Sequence, residues 1–302
     1  MPENTSPHPW LVSLHGGHSG EFCDHAQDRL EQLVQGAIAL GMPVYGLTEH
    51  APRVEPQHVY DEEKAMGWDT HYLADLFARY AAEAKRLQSA YADQIEILAG
   101  FEAEVIPDGR YVEVMRGLRQ QHGLDYLVGS VHWVDGIIID YTRERFDQAV
   151  EAQGGLERLA LRYYEIASEM VSNLRPEVVG HLDLVRRHGG NDPALETPAV
   201  RDRARSVLAL MKEHDAILDI NTAGYRKGLG TPYPAPWLLE AARDLGVDVC
   251  FGDDAHRVLE VGAGILEARE YLIDHGITEV TVLVREAGGL GRRKAALQAG
   301  PD

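Results

Sequence analysis

Hydrophobic residues gather along this chain in short unbroken runs, and nearly every run ends on a polar cluster. Runs at 11–14, 44–48, 95–99, 126–131, 178–180, 216–221 and 247–251 show no polar alternation, which predicts strands covered on both faces. Between them lie stretches with helical spacing, at 28–40, 71–90, 111–122, 156–173, 200–214, 235–245 and 262–275. In the first of these, Leu30, Leu33, Val34, Ala37 and Ile38 fall on one helical face, and Gly41 ends it. Seven such β/α units predict a closed or nearly closed parallel barrel with right-handed crossovers, an α/β fold of the TIM-like kind. A further strand is expected at 279–284. Residues 52–68 form a Pro- and acid-rich excursion longer than an ordinary connection, expected to act as a lid or substrate loop. The Gly, Arg and Ala tail after Arg285 reads as frayed and the first ten residues as a short flexible segment. The whole of 1–302 is then one barrel domain with a core at about 11–284, without repeats or low-complexity linkers.

The polar clusters carry the chemistry. His15 and His18 follow the first run, with His25 shortly after; His50 follows the second, Glu102 the third and His132 the fourth. His181 follows the fifth, and Asp253, Asp254 and His256 the seventh. Seven of the fourteen histidines thus share one structural position, the strand C-terminal ends where barrel active sites are built. Burying so many polar groups uncompensated is costly, and metal binding relieves that cost. Imidazole and carboxylate suit Zn, Fe or Mn, and the set exceeds what one tetrahedral ion uses. Two or three divalent ions are expected, with Glu102 as a bridge. Ions about 3.5–4 Å apart can clamp the attacking and leaving oxygens of a phosphoryl displacement.

Composition narrows the classes. A formal net charge of −19 argues against nucleic-acid backbones as partners, which require clustered Lys and Arg. Two cysteines, Cys23 and Cys250, make no disulfide framework, and with no signal peptide or membrane span in the sequence a reducing cytoplasm is expected. Cys23 reads as a small buried thiol.

The strings SLHGGHSGEFCDHA, LTEHAPR, GFE, GSVHWVDGIIIDY, GHLDLVRR, NTAGYRKGLGTPYP and DAH resemble the PHP (polymerase and histidinol phosphatase) superfamily, and within it the histidinol-phosphate phosphatase branch, over roughly 11–275. The resemblance implies a distorted (β/α)7 barrel, a trinuclear divalent site, and hydrolysis of L-histidinol phosphate to L-histidinol and phosphate in histidine biosynthesis. The implied ligands are His15, His18, His25, His50, Glu102, His132, His181, Asp254 and His256. Two departures stand out. The family commonly opens with two histidines one residue apart, whereas Gly16 and Gly17 separate His15 from His18 here, and Glu49 stands where many members have Asp. Glu49 is expected to orient a neighbouring histidine.

Substrate selection then falls to the rim. Arg226 is the first expectation for a phosphate contact, with Arg186, Arg187 and Lys227 alongside. Tyr233, Glu104, Asp135 and Trp133 are candidates for recognising an amine or imidazole. The expected mechanism is direct attack on phosphorus by a hydroxide shared between ions, with His132 and Asp254 essential and Asp254 positioning the nucleophile. Either Asp253 or a water would protonate the leaving alkoxide. Competing readings are a PHP phosphoesterase acting on a nucleotide or sugar phosphate, an amidohydrolase, and a non-catalytic metal-binding module. An amidohydrolase would often use a bridging carbamylated lysine, and Glu102 fills that place. The sequence leaves room for a homo-oligomer.

Overall fold

Strands buried on both faces need neighbours on both edges, and closure into a barrel supplies them. The computed structural model describes residues 8–298. Its strands are β1 (Val44–Leu47), β2 (Glu96–Ala99), β3 (Phe101–Ala103), β4 (Leu127–Gly129), β5 (Trp133–Val134), β6 (Ile137–Ile138), β7 (Val178–Val179), β8 (Ile217–Asn221), β9 (Val249–Gly252), β10 (Glu279–Glu286) and β11 (Gly289–Ala296). β1 pairs with β2, and β3, β4, β7, β8 and β9 follow one another in a second parallel sheet. Gly100 separates β2 from β3, yet the bridge His50↔Glu102 carries the pairing across the break.

The expected first strand, 11–14, forms no ladder of its own. It does sit between β1 and β9: Gly46 donates to the Ser13 carbonyl at 2.7 Å and Leu14 to that of Phe251 at 2.8 Å. Those two contacts close a distorted seven-membered barrel. Tyr126 crosses its interior, and its hydroxyl donates to the Leu14 carbonyl at 2.7 Å. A Cβ at Gly100 would lie 2.4 Å from the Tyr126 ring, so glycine is required there by packing. From outside, Tyr80 donates to the carbonyls of Leu47 (2.8 Å) and Gly100 (2.6 Å), satisfying backbone that the break between β2 and β3 leaves irregular.

Helices cover the barrel where expected: Leu30–Ala39, Thr70–Ala90, Tyr111–His122, Leu156–Leu174, Pro198–Glu213, Pro236–Leu245 and Ile265–Asp274. Leu30, Leu33, Val34 and Ala37 face the core, and Asp69 and Thr197 cap their helices by accepting from Tyr72 and Val200. The structure adds a helix, corrects the expectation for the tail and shows how the 52–68 segment is folded. Residues 143–153 form an additional helix, capped by Thr142 and ended by Gly154; only Phe146 and Ala149 of it are buried, so its apolar stripe is faint in the sequence. The tail is not frayed over 289–296, where β11 pairs antiparallel with all of β10. The 52–68 excursion is folded, with a 3-10 turn at Pro56–His58 and a helix at Asp61–Ala65. A buried Arg53–Glu63 ion pair holds it, and Tyr60 stacks on Trp133 and Tyr141. Of the segment expected to be flexible at the N-terminus, residues 1–7 lie outside the described residues.

Gly100→Ala is expected to cost about 1–3 kcal/mol through overpacking against Tyr126, read as a lowered urea midpoint at unchanged slope. An unaltered midpoint would mean that the ring is free to yield.

Candidate metal centre

Side chains from the ends of most barrel strands meet at one place, two of them after 11–14 and two after β9. Glu102, on β3, is 1% exposed and meets four imidazoles. Its Oε1 lies 3.0 Å from His181 Nε2 and 3.4 Å from both His15 Nε2 and His132 Nε2. Its Oε2 lies 2.8 Å from His50 Nδ1. Beside this group, Asp254 Oδ1 is 3.4 Å from His18 Nε2 and 3.6 Å from His256 Nδ1. The rings of His18 and His256 stack at 4.3 Å, and those of His25 and His256 at 5.1 Å. All nine residues expected as ligands therefore surround one floor.

The donor set fits divalent cations. His50 Nε2 and His181 Nδ1 are buried with neither a hydrogen-bond partner nor a facing carboxylate, a cost of about 1–3 kcal/mol per group, and His50 Nδ1, both nitrogens of His18 and His15 Nε2 meet only carboxylate oxygens. Triads such as His15, His18 and Glu102, or His18, Asp254 and His256, hold their donor atoms within 4.8 Å of one another. Backbone strain accompanies them: His181 (φ 23°) and Asp254 (φ 48°) occupy the left-handed region, which non-glycine residues hold only where the surroundings force it.

Carboxylates behind the imidazoles fix their orientation. Asp219 Oδ2 meets His15 Nδ1 at 2.7 Å, Glu104 pairs with His132 Nδ1, Glu49 lies 3.5 Å from His18 Nδ1, and Asp24 is 2.9 Å from His25 Nδ1. This is the carboxylate–histidine relay common behind metal ligands. Burial pushes the Glu102 carboxyl up, but the His132, His15 and His50 imidazoles outweigh it and hold it well below the ordinary range. Burial together with His18 pushes His256 well down, toward the neutral form that binds metal. Burial also lowers His132, yet Glu104 and Glu102 lift it well above its usual value. The floor is acidic enough to demand positive charge.

Above it opens a cavity of ≈ 560 Å³, whose lining includes Arg187, Arg226, Lys227, Tyr233, Tyr60 and Asp140. Arg226 spends Nη2 on the carbonyls of Asp253 and Asp254, at 2.8 and 2.9 Å, so it braces the strained loop, while its Nη1 has no partner. The Tyr233 hydroxyl is likewise buried and unpartnered. Burial, then Arg187, lowers Lys227.

Several expected placements are corrected. Arg186 does not line the cavity; buried, it pairs with Asp183 and donates to Asn191 and Thr231. Asp253 does not line it either. Its oxygens accept from Ser13 Oγ (3.0 Å) and Gly262 N (2.8 Å), which hold its side chain in the barrel wall, where burial pushes the carboxyl up to about 6. Glu104 is engaged with His132, and Asp135 with Arg162 at the surface. Trp133 stacks on Tyr60 behind the wall. Asp219, Asp140 and Tyr60 escaped the sequence reading; a lone aspartate inside the buried strand β8 was the available signal for Asp219.

A profile of the PHP domain matches residues 15–223. The chain belongs to the PHP domain family. The match spans most of the PHP barrel and stops short of Asp254 and His256, which longer alignments include. A probable histidinol-phosphatase of Schizosaccharomyces pombe is 36% identical over 289 residues, covering 93% of this chain and 92% of the relative. Histidinol-phosphatase of Saccharomyces cerevisiae is 29% identical over 294 residues, covering 86% and 88%. A solved putative histidinol phosphatase from Listeria monocytogenes superposes with a TM-score of 0.74 at 28% identity, covering 85% of this chain and 99% of that one. A Lactococcus lactis histidinol phosphate phosphatase, solved with zinc, L-histidinol and phosphate, shares the PHP fold at TM-score 0.69 and 21% identity, covering 93% and 98%. No helix among the described residues is long and apolar enough to cross a membrane.

Glu104→Gln should weaken divalent-metal affinity by about 10- to 100-fold in a competitive chelator titration. Unchanged affinity would show that His132 needs no carboxylate behind it.

Proposed function

We propose that this chain is a metal-dependent phosphomonoesterase that hydrolyses L-histidinol phosphate to L-histidinol and phosphate in histidine biosynthesis. The observation that carries the chemistry is Glu102, with one oxygen facing three imidazoles and the other facing a fourth, beneath a cavity lined by cationic side chains. The substrate follows from the histidinol-phosphatase relatives, above all the one aligned over 93% of the chain.

In this reading His15, His18, His25, His50, Glu102, His132, His181, Asp254 and His256 would hold two or three divalent ions, Glu102 having both oxygens turned to the histidine cluster. Such ions supply Lewis acidity toward a phosphoryl oxygen and lower the pKa of water. The rest falls to the chain. Arg187 and Lys227 meet the dianion from the cavity side, Arg187 with a planar fork suited to phosphate oxygens. Arg226 keeps Asp254 in its left-handed conformation and offers Nη1. The Tyr233 hydroxyl, buried near His181, donates to a phosphate oxygen. Asp140, whose Oδ1 is buried and unpartnered, and the Tyr60–Tyr141 stack suit the ammonium and imidazole of histidinol. No serine or cysteine nucleophile is required.

Phosphate release should be strongest with L-histidinol phosphate in a panel that also holds nucleotide and sugar phosphates, on protein loaded with Zn, Mn or Fe. Preference for another member would retain the metal site and overturn the substrate. Arg187→Ala is expected to raise KM for histidinol phosphate by roughly 10- to 100-fold, the loss of a hydrogen bond to a charged group worth about 1.5–3 kcal/mol. A fall in kcat alone would contradict a binding role.

A further inference from the structure

His25 reaches the floor from a loop and not from a strand. Residues 20–29 contain neither helix nor strand. Phe22 and Cys23 both donate to the Ser19 carbonyl, at 3.0 and 2.9 Å, and Gln27 donates to that of His256 at 2.7 Å. The loop is thereby tied to the segment after β9, and a sulfur arrives among imidazoles. Donor atoms of Cys23, His25, His50 and His256 lie within 4.8 Å of one another. Cys23 Sγ is 3.3 Å from His25 Nδ1 and 3.4 Å from His25 Nε2. Asp24 already meets Nδ1, which leaves Nε2 for a ligand. His50 faces Glu102 through Nδ1 at 2.8 Å, and its buried Nε2 has no partner.

We infer that Cys23 supplies a thiolate to the ion held by His25, His50 and His256, making that position a Cys/His3 site chemically unlike the nitrogen- and oxygen-ligated positions around Glu102. This rests on the reading of those three histidines as ligands. Cys23 Sγ now lies about equally far from both His25 nitrogens, so its side chain must swing toward the Nε2 side to share an ion there, at the sulfur and nitrogen distances of about 2.3 and 2.0–2.1 Å that such an ion requires. On binding, the S–H bond breaks, sulfur donates its pair to the cation, and the proton passes to buffer. One soft ligand among three imidazoles favours zinc, iron or cobalt over manganese and magnesium. The protein would then carry unlike metal positions on one floor.

Cobalt(II) reconstitution of the metal-stripped full chain tests this by absorbance. A near-ultraviolet sulfur-to-cobalt charge-transfer band is expected in the unaltered protein, and its loss in Cys23→Ser brought to the same cobalt content. Bound cobalt without the band, or a band surviving in Cys23→Ser, overturns the thiolate while leaving the histidine ligands standing. Failure to bind cobalt at all overturns both. Zinc X-ray absorption on the unaltered protein needs no variant: a sulfur shell near 2.3 Å supports the inference, and a shell of nitrogen and oxygen only contradicts it.

Discussion

One buried carboxylate organises this molecule. Glu102 sits on β3, just past the break at Gly100, and faces the rings of His15, His50, His132 and His181. A carboxylate so deeply buried is tolerable only when opposite charge surrounds it. The barrel is the device that brings those charges from strands far apart in sequence. Its closure through Leu14 and Phe251 places His15 opposite His181, and the irregular step at Gly100 sets Glu102 where it bridges to His50.

The supporting shell shows the same logic one layer out. Asp219, Glu104, Glu49 and Asp24 each face an imidazole from behind, so the ring nitrogens left over point inward. This concentrates negative charge in a protein that already carries a formal −19. Arg226 works against the strain that results: by donating to the carbonyls of Asp253 and Asp254 it holds a loop whose backbone is otherwise unfavourable. Cationic groups gather on the cavity wall above, at Arg187, Arg226, Lys227 and Arg257, where a dianionic substrate would meet them.

The barrel and the metal floor were legible because burial on both faces writes unbroken apolar runs, and because ligands at strand ends recur at matching positions. The rim was less so. Asp253 and Asp254 are neighbours with the same side chain, yet one turns to Ser13 and Gly262 and the other to the histidines, a difference set by backbone φ and not by residue type. Arg186 and Arg187 divide in the same way, the first captured by Asp183. Glu104 lies two residues after Glu102 and one past the end of β3, so a continuation of the strand's alternation puts both carboxylates on one side, a signal for its place behind His132. β10 was expected at 279–284, but its partner β11 escaped because it mixes basic residues with few apolar ones, and the helix at 143–153 because it buries little.

Anomalous diffraction from crystals of the metal-loaded protein, recorded at the edge of the bound metal, tests the central role of Glu102 most directly. The account predicts at least two anomalous peaks, each about 2.0–2.2 Å from a different oxygen of Glu102. A single peak, or peaks that leave Glu102 uncoordinated, would contradict it.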